Sequence, residues 1–87
     1  VKVEFRKRFF KDFENLPKQV QSLILPGLEQ LGSIKSLEEI YSIKKLRGYK
    51  NFYRLRIGDY RIGCQLIDGT LIVERVLHRK DIYRYYP

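Results

Sequence analysis

The sequence predicts an α+β domain: an N-terminal strand and a two-helix hairpin packed on an antiparallel meander of three to four strands. Three observations carry that prediction. Apolar residues recur at helical spacing between residues 9 and 31. Beyond residue 43 they alternate with period two, the pattern of a strand with one face in the core. Two dipeptides, Gly58-Asp59 and Asp68-Gly69, stand where tight turns would join consecutive strands. At 87 residues, the chain forms one domain, residues 1–87, near the lower limit for a core without staples.

Val1, Val3 and Phe5 alternate with Lys2 and Glu4, which predicts the first strand. Phe9 or Phe10, Phe13 and Leu16 then recur at helical spacing, with Lys7, Arg8, Lys11 and Asp12 on other faces. Asn15-Leu16-Pro17 ends that helix. Pro17 can open the next, because its missing N–H is an orphan in any first turn. Val20, Leu23, Ile24, Leu28 and Leu31 continue an amphipathic stripe to Gly32. Pro26 lies inside the stripe and is expected to kink or break the helix. Ser36 to Glu39 matches a capping box. Strands are then expected from Ile43 to Leu46, Phe52 to Ile57, Tyr60 to Ile67 and Thr70 to His78. A tail from Arg79 to Pro87, with Tyr83, Tyr85 and Tyr86, suits a short helical turn. At least two of those tyrosines are expected to pin the tail to the core.

Composition narrows the function. Apolar residues make up 44% of the chain, with seven Tyr and five Phe, enough for a packed core. A single cysteine, Cys64, excludes an intrachain disulfide and a cysteine-based zinc site, and its inward position reads as a small buried hydrophobe. No apolar run reaches the roughly 18–20 residues of a membrane span, and no secretory-signal core opens the sequence, so a soluble cytoplasmic protein with no membrane partner is expected. The net charge of +8 favours phosphate-rich or acidic partners.

The placement of the charge is more informative. In YRLRIGDYRIG, residues 53–63, a Gly-Asp link suits a type II′ turn. That register sets Ile57 against Tyr60, Leu55 against Ile62, and Arg56 directly against Arg61. Like charges opposed across a strand pair destabilise a sheet unless an anion sits on them. A type I′ turn at Asp68-Gly69 sets Cys64 against Val73 and Leu66 against Leu71. Continued without interruption, it sets Gly63 against Glu74, Arg61 against Val76 and Tyr60 against Leu77, with His78 level with the first turn. Arg54, Arg56, Arg61 and His78 then share one face. Gly63 leaves a shallow floor between them, and Phe52 has the same parity. An ion pair between Arg54 and Glu74, across Gly63, is the alternative for that arginine.

Paired carboxylates, metal-ligand clusters, a Ser-His-Asp set and a glycine-rich phosphate loop are all missing from the sequence. Arginine, histidine and tyrosine remain, and these can cut RNA without a metal or cofactor. The RNA supplies its own 2′-hydroxyl as nucleophile. Arginines suit the crowded phosphorane charge, and His or Tyr suits the proton transfers.

KLRGYKNFYRLRIGDYRIG and the terminal VLHRKDIYRYYP closely resemble the RelE/ParE superfamily of toxins from type II toxin–antitoxin pairs, over nearly the whole chain. The resemblance implies a compact basic toxin neutralised by a cognate antitoxin that wraps it. In the RelE branch it implies a metal-independent, ribosome-dependent endoribonuclease, an mRNA interferase that inhibits translation. That branch cleaves messenger RNA in the A site by 2′-hydroxyl attack, and contacts to 16S ribosomal RNA are expected. Arg54, Arg56 and Arg61 occupy places matching the basic residues that hold the scissile phosphate. Arg79 matches an arginine just after the last strand, and Tyr83 a tyrosine that stacks on a base or aids proton transfer. His78 matches a histidine used by relatives as acid or base.

The catalytic set expected on this basis is Arg56, Arg61, His78, Arg79 and Tyr83. Arg54, Lys44, Lys45, Phe52 and Lys80 are expected to bind the RNA. Positions 54 and 56 depart from the best-known RelE members, which carry lysine there, and the spacing to Arg61 is shorter. Since arginine is a poor general base, proton abstraction falls to His78 or Tyr83. The alternatives are the ParE branch, which poisons DNA gyrase and lacks the ribonuclease set, and a non-catalytic nucleic-acid-binding relative.

Overall fold

A computed structural model of the chain describes residues 1–40 and 42–87. In chain order the elements are β1 (Lys2–Phe5), α1 (Lys7–Glu14), α2 (Lys18–Leu31), β2 (Ile43–Lys45), β3 (Phe52–Ile57), β4 (Tyr60–Ile67), β5 (Thr70–His78) and α3 (Ile82–Tyr85). A 3-10 turn over Leu37–Glu39 carries the predicted capping box, in which Glu39 Oε2 accepts the Ser36 N–H at 3.0 Å.

One sheet forms in the order β1-β5-β4-β3-β2. Strands β2 to β5 are the antiparallel meander, and β1 lies parallel to β5 with Val3 beside Leu71. A parallel pair needs a long crossover, here the helices and the whole meander. β1, the predicted N-terminal strand, therefore makes the sheet mixed and five-stranded, a place in the sheet that the sequence had not assigned to it.

One face of the sheet builds the core. Leu55, Ile62, Cys64, Leu71, Val73 and Val76 pack there with Phe9, Ile24 and Leu31. Phe9 is the core phenylalanine, and Phe10 is exposed. Leu23 leaves the predicted stripe and is 53% exposed. Burial pushes the Cys64 thiol up to about 12, with the negative charge of Glu74 adding to it.

Pro26 does not break α2, which is continuous from Lys18 to Leu31. The carbonyl that loses its N–H partner belongs to Ser22, an exposed residue whose oxygen water can serve. Next to it Gly27 brings helix and sheet close together: a Cβ there would lie 2.6 Å from Ile57 Cδ1.

The edge of β5 beyond Val73 has no strand beside it. Asp12 of α1 covers this stretch, accepting the Val76 N–H at 3.2 Å and a two-pronged contact from Arg75 at 2.6 and 3.1 Å. A single carboxylate thus ties the helix layer to the sheet and satisfies an edge amide.

Candidate functional site

The hairpin between β3 and β4 forms as its sequence requires. Gly58 has φ 58° and Asp59 does not share the left-handed conformation, which is the type II′ pattern. At the next turn Asp68 and Gly69 both have positive φ, 48° and 78°, as type I′ demands. Ile57 pairs with Tyr60, Leu55 with Ile62, and Arg56 faces Arg61. Arg54 faces Gly63 on one side and Lys44 of β2 on the other. These cations line a cleft of ≈ 690 Å³ bounded by Ser42, Lys44, Arg54, Arg56, Gly58 and Arg61.

The turn holds Arg61 in place. Its Nη1 donates to the carbonyls of Gly58 at 2.9 Å and Tyr60 at 3.0 Å. Burial lowers the guanidinium pKa from its usual value, and the positive charges of Arg56, Arg54 and Arg79 lower it further, while Asp59 opposes them. Among the described residues, neither Arg54 nor Arg56 enters an ion pair. The alternative of an Arg54–Glu74 pair therefore fails. Glu74 instead accepts the Tyr86 hydroxyl at 2.6 Å, with Arg6 at 3.9 Å.

The register of β4 on β5 departs from expectation at a β-bulge beside Gly63 and Cys64. Cys64 faces Val73 as predicted, but Gly63 faces Arg75, Arg61 faces Leu77, and Tyr60 faces His78. The extra residue, Glu74, shifts every later side chain by one position and so to the other face. His78 consequently leaves the arginine face. Its ring meets that of Tyr60, on the helix side, edge-on at a centroid distance of 5.3 Å, and its Nδ1 accepts the Lys80 N–H at 3.1 Å. The sequence held a clue in LIVERV. An unbroken alternation would have turned Arg75 to the core and Val76 outward; the bulge buries Val76 instead and leaves Arg75 to Asp12.

What the shift removes it also replaces. Arg79 follows at once, its N–H bonded to the Asp59 carbonyl at 2.7 Å and its guanidinium 3.6 Å from the Asp59 carboxylate. It is close enough to lower the Arg61 pKa. Tyr83, on α3, lies under the Arg54 guanidinium at 4.9 Å from the ring centroid and is 64% exposed.

Other expectations change as well. The floor at Gly63 is filled: a Cβ there would lie 2.6 Å from the Tyr86 ring. Tyr86 is the only one of the three tail tyrosines that is buried, and it pins the tail together with Ile82. Burial and its hydrogen bond to Glu74 raise the Tyr86 pKa. Phe52 shares the arginine face but packs edge-on between Tyr49 and Tyr86, at 6.1 and 5.9 Å. Lys45 pairs with Tyr53 and so takes the opposite face from Arg54. Lys80 lies in the exposed turn after β5. The cluster that the fold assembles is therefore Lys44, Arg54, Arg56, Arg61, Arg79 and Tyr83. Such a set can grip a phosphate and neutralise charge building on it.

Comparison with known proteins gives the family of the chain. The family model described as the ParE toxin of the type II toxin–antitoxin system matches residues 3–83. Toxin RelE3 of Methanocaldococcus jannaschii is 43% identical over 88 aligned residues that cover all of both chains. The toxin–antitoxin complex RelB-RelE from Methanococcus jannaschii contains a chain of 42% identity and TM-score 0.80, with 97% of this chain and 99% of that one covered. An archaeal RelE-RelB complex from Pyrococcus horikoshii matches at 25% identity and TM-score 0.68, covering 90% and 93%. With a family model spanning residues 3–83 and a full-length relative at 43% identity, the chain belongs to the RelE/ParE toxin superfamily.

Proposed function

We propose that this protein is a type II toxin that cleaves messenger RNA on the ribosome and is held inactive by a cognate antitoxin. The observation that carries the reading is the direct opposition of Arg56 and Arg61, with Arg54 and Arg79 beside them and a cleft of ≈ 690 Å³ over the pair. The names of the relatives, a RelE toxin and RelB-RelE complexes, support the same function and the antitoxin partner.

In this mechanism the 2′-oxygen attacks the neighbouring phosphorus, the bond to the 5′-oxygen breaks, and a cyclic phosphate and a free 5′-hydroxyl result. Arg56 and Arg61 hold the scissile phosphate from two strands, and Arg54 and Arg79 add to the field that stabilises the phosphorane. Arginine keeps its proton. With His78 behind the sheet, proton transfer is assigned to Tyr83, whose ring lies against Arg54. The route requires no metal or cofactor. Lys44 extends the grip along the RNA backbone.

Primer extension on a reporter messenger in a cell-free translation extract tests the reading. Codon-phased breaks that require translation and vanish with Arg61→Ala are expected. The family description names ParE, so a second reading, inhibition of DNA gyrase, has a specific basis. Intact messenger together with blocked supercoiling by the purified protein would replace the first reading with that one.

A further inference from the structure

On the arginine face, past Tyr86, lies a second cavity of ≈ 450 Å³ lined by Phe52, Gln65, Tyr85 and Tyr86, and bordered by Arg6, Arg8, Arg75 and the Glu74 carboxylate that accepts the Tyr86 hydroxyl. Its size falls in the range of small-ligand sites. Phe52 and Gln65 are a directly opposed pair on β3 and β4. None of the side-chain hydrogen bonds among the described residues involves Gln65. Tyr85 is 53% exposed, so the core does not use its ring. Two aromatic faces and one amide carrying both donors and an acceptor are the chemistry that takes an unpaired nucleobase, the rings by stacking and the amide by its edge.

The position of the cavity relative to the cleft fits a polymer. Phe52, Arg54 and Arg56 alternate along one face of β3, which puts Phe52 roughly 7 Å from Arg54 and roughly 13 Å from Arg56 along the strand. An RNA whose phosphate lies on Arg56 and Arg61 therefore carries a flanking nucleotide past Phe52. We propose that the Phe52–Gln65–Tyr85 cavity is a nucleobase subsite for a nucleotide flanking the scissile phosphate, with Gln65 reading the edge of the base. The proposal rests on the RNA-cleavage reading and adds a source of sequence preference to it.

The test uses hexaribonucleotides carrying 2-aminopurine at each position in turn, titrated with the purified full chain. Stacking quenches the probe, and one position is expected to respond in a saturable way. Tyr85→Ala should weaken binding about tenfold and remove the quenching, while Tyr85→Trp restores both. Gln65→Leu should keep the quenching but level the affinities of hexamers that differ only at that base. No quenching at any position, or quenching unchanged in Tyr85→Ala, overturns the subsite. Protection of Tyr85 by antitoxin alone would then give the cavity to the protein partner. Messenger cleavage, assayed in parallel, separates the two readings. Quenching without cleavage keeps the subsite, and cleavage without quenching removes the subsite and leaves the nuclease.

Discussion

Arg56 and Arg61 face each other across β3 and β4, and among the described residues Arg56 has no carboxylate partner. Opposed like charges cost stability, so the pair should oppose folding while serving binding. Arg56→Ala is expected to leave unfolding free energy unchanged or to raise it by up to ~1 kcal/mol. Its cleavage activity should fall by roughly 100-fold or more. Inorganic phosphate should raise the Tm of the wild type and raise that of the variant less, since only the folded cluster binds it. Calorimetry with and without phosphate, beside the cleavage assay, checks all three.

His78 and Arg79 are neighbours in sequence with different places in the fold. His78→Asn preserves an acceptor for the Lys80 N–H, and cleavage should stay within about threefold of wild type, below the cost of one lost transition-state contact. Arg79→Ala should lose roughly 100-fold. Equal and large losses in both variants would return the histidine to the chemistry.

The Tyr86 hydroxyl is buried and donates to Glu74, which raises its pKa above the value of an unfolded tyrosine, about 10. The folded chain keeps a proton that the unfolded chain gives up at alkaline pH. The contribution is therefore complete below about pH 10 and declines as pH rises beyond it. Tyr86→Phe should lose roughly 1.5–3 kcal/mol at neutral pH, the worth of a hydrogen bond to a charged group. The gap to wild type should narrow above about pH 10. Urea midpoints of both proteins across that range measure it.

Asp12 holds Arg75 and the Val76 amide together, and both charged side chains are largely shielded, at 10% and 14% exposure. Asp12→Asn leaves a shielded guanidinium without its countercharge and should cost roughly 3 kcal/mol. Adding Arg75→Met should recover part of that loss, because the stranded charge is then gone. Denaturant unfolding of the two variants provides the comparison.

Most of the fold was legible because each element carried its own periodicity and each hairpin its own turn chemistry. The pairing of Arg56 with Arg61 followed from Gly58-Asp59 alone. What could not be read locally was set by distant partners. Glu74 bulges out of β5, with Tyr86 on its carboxylate and Asp12 holding the two residues that follow. That one insertion moved His78 off the site and delivered Arg79. The floor at Gly63 looked open for the same reason, since its occupant is a ring 23 positions further on. The parallel placement of β1 likewise depends on a strand that begins only at Thr70.

The pairing of β1 with β5 joins the first and last strands of the described sheet in chain order. During synthesis, β1 and both long helices leave the ribosome well before β5, the strand that supplies Leu71, Val73 and Val76 to their core. Contacts so distant in sequence form late and slowly. Arg79 and Tyr83 come later still. A nascent chain therefore carries Arg56 and Arg61 before the sheet that fixes them is complete, and the full cluster exists only once Arg79 and Tyr83 have been made. On the proposed ribosome-directed activity, order of synthesis acts as a built-in delay between translating this protein and exposing the translating ribosome to it.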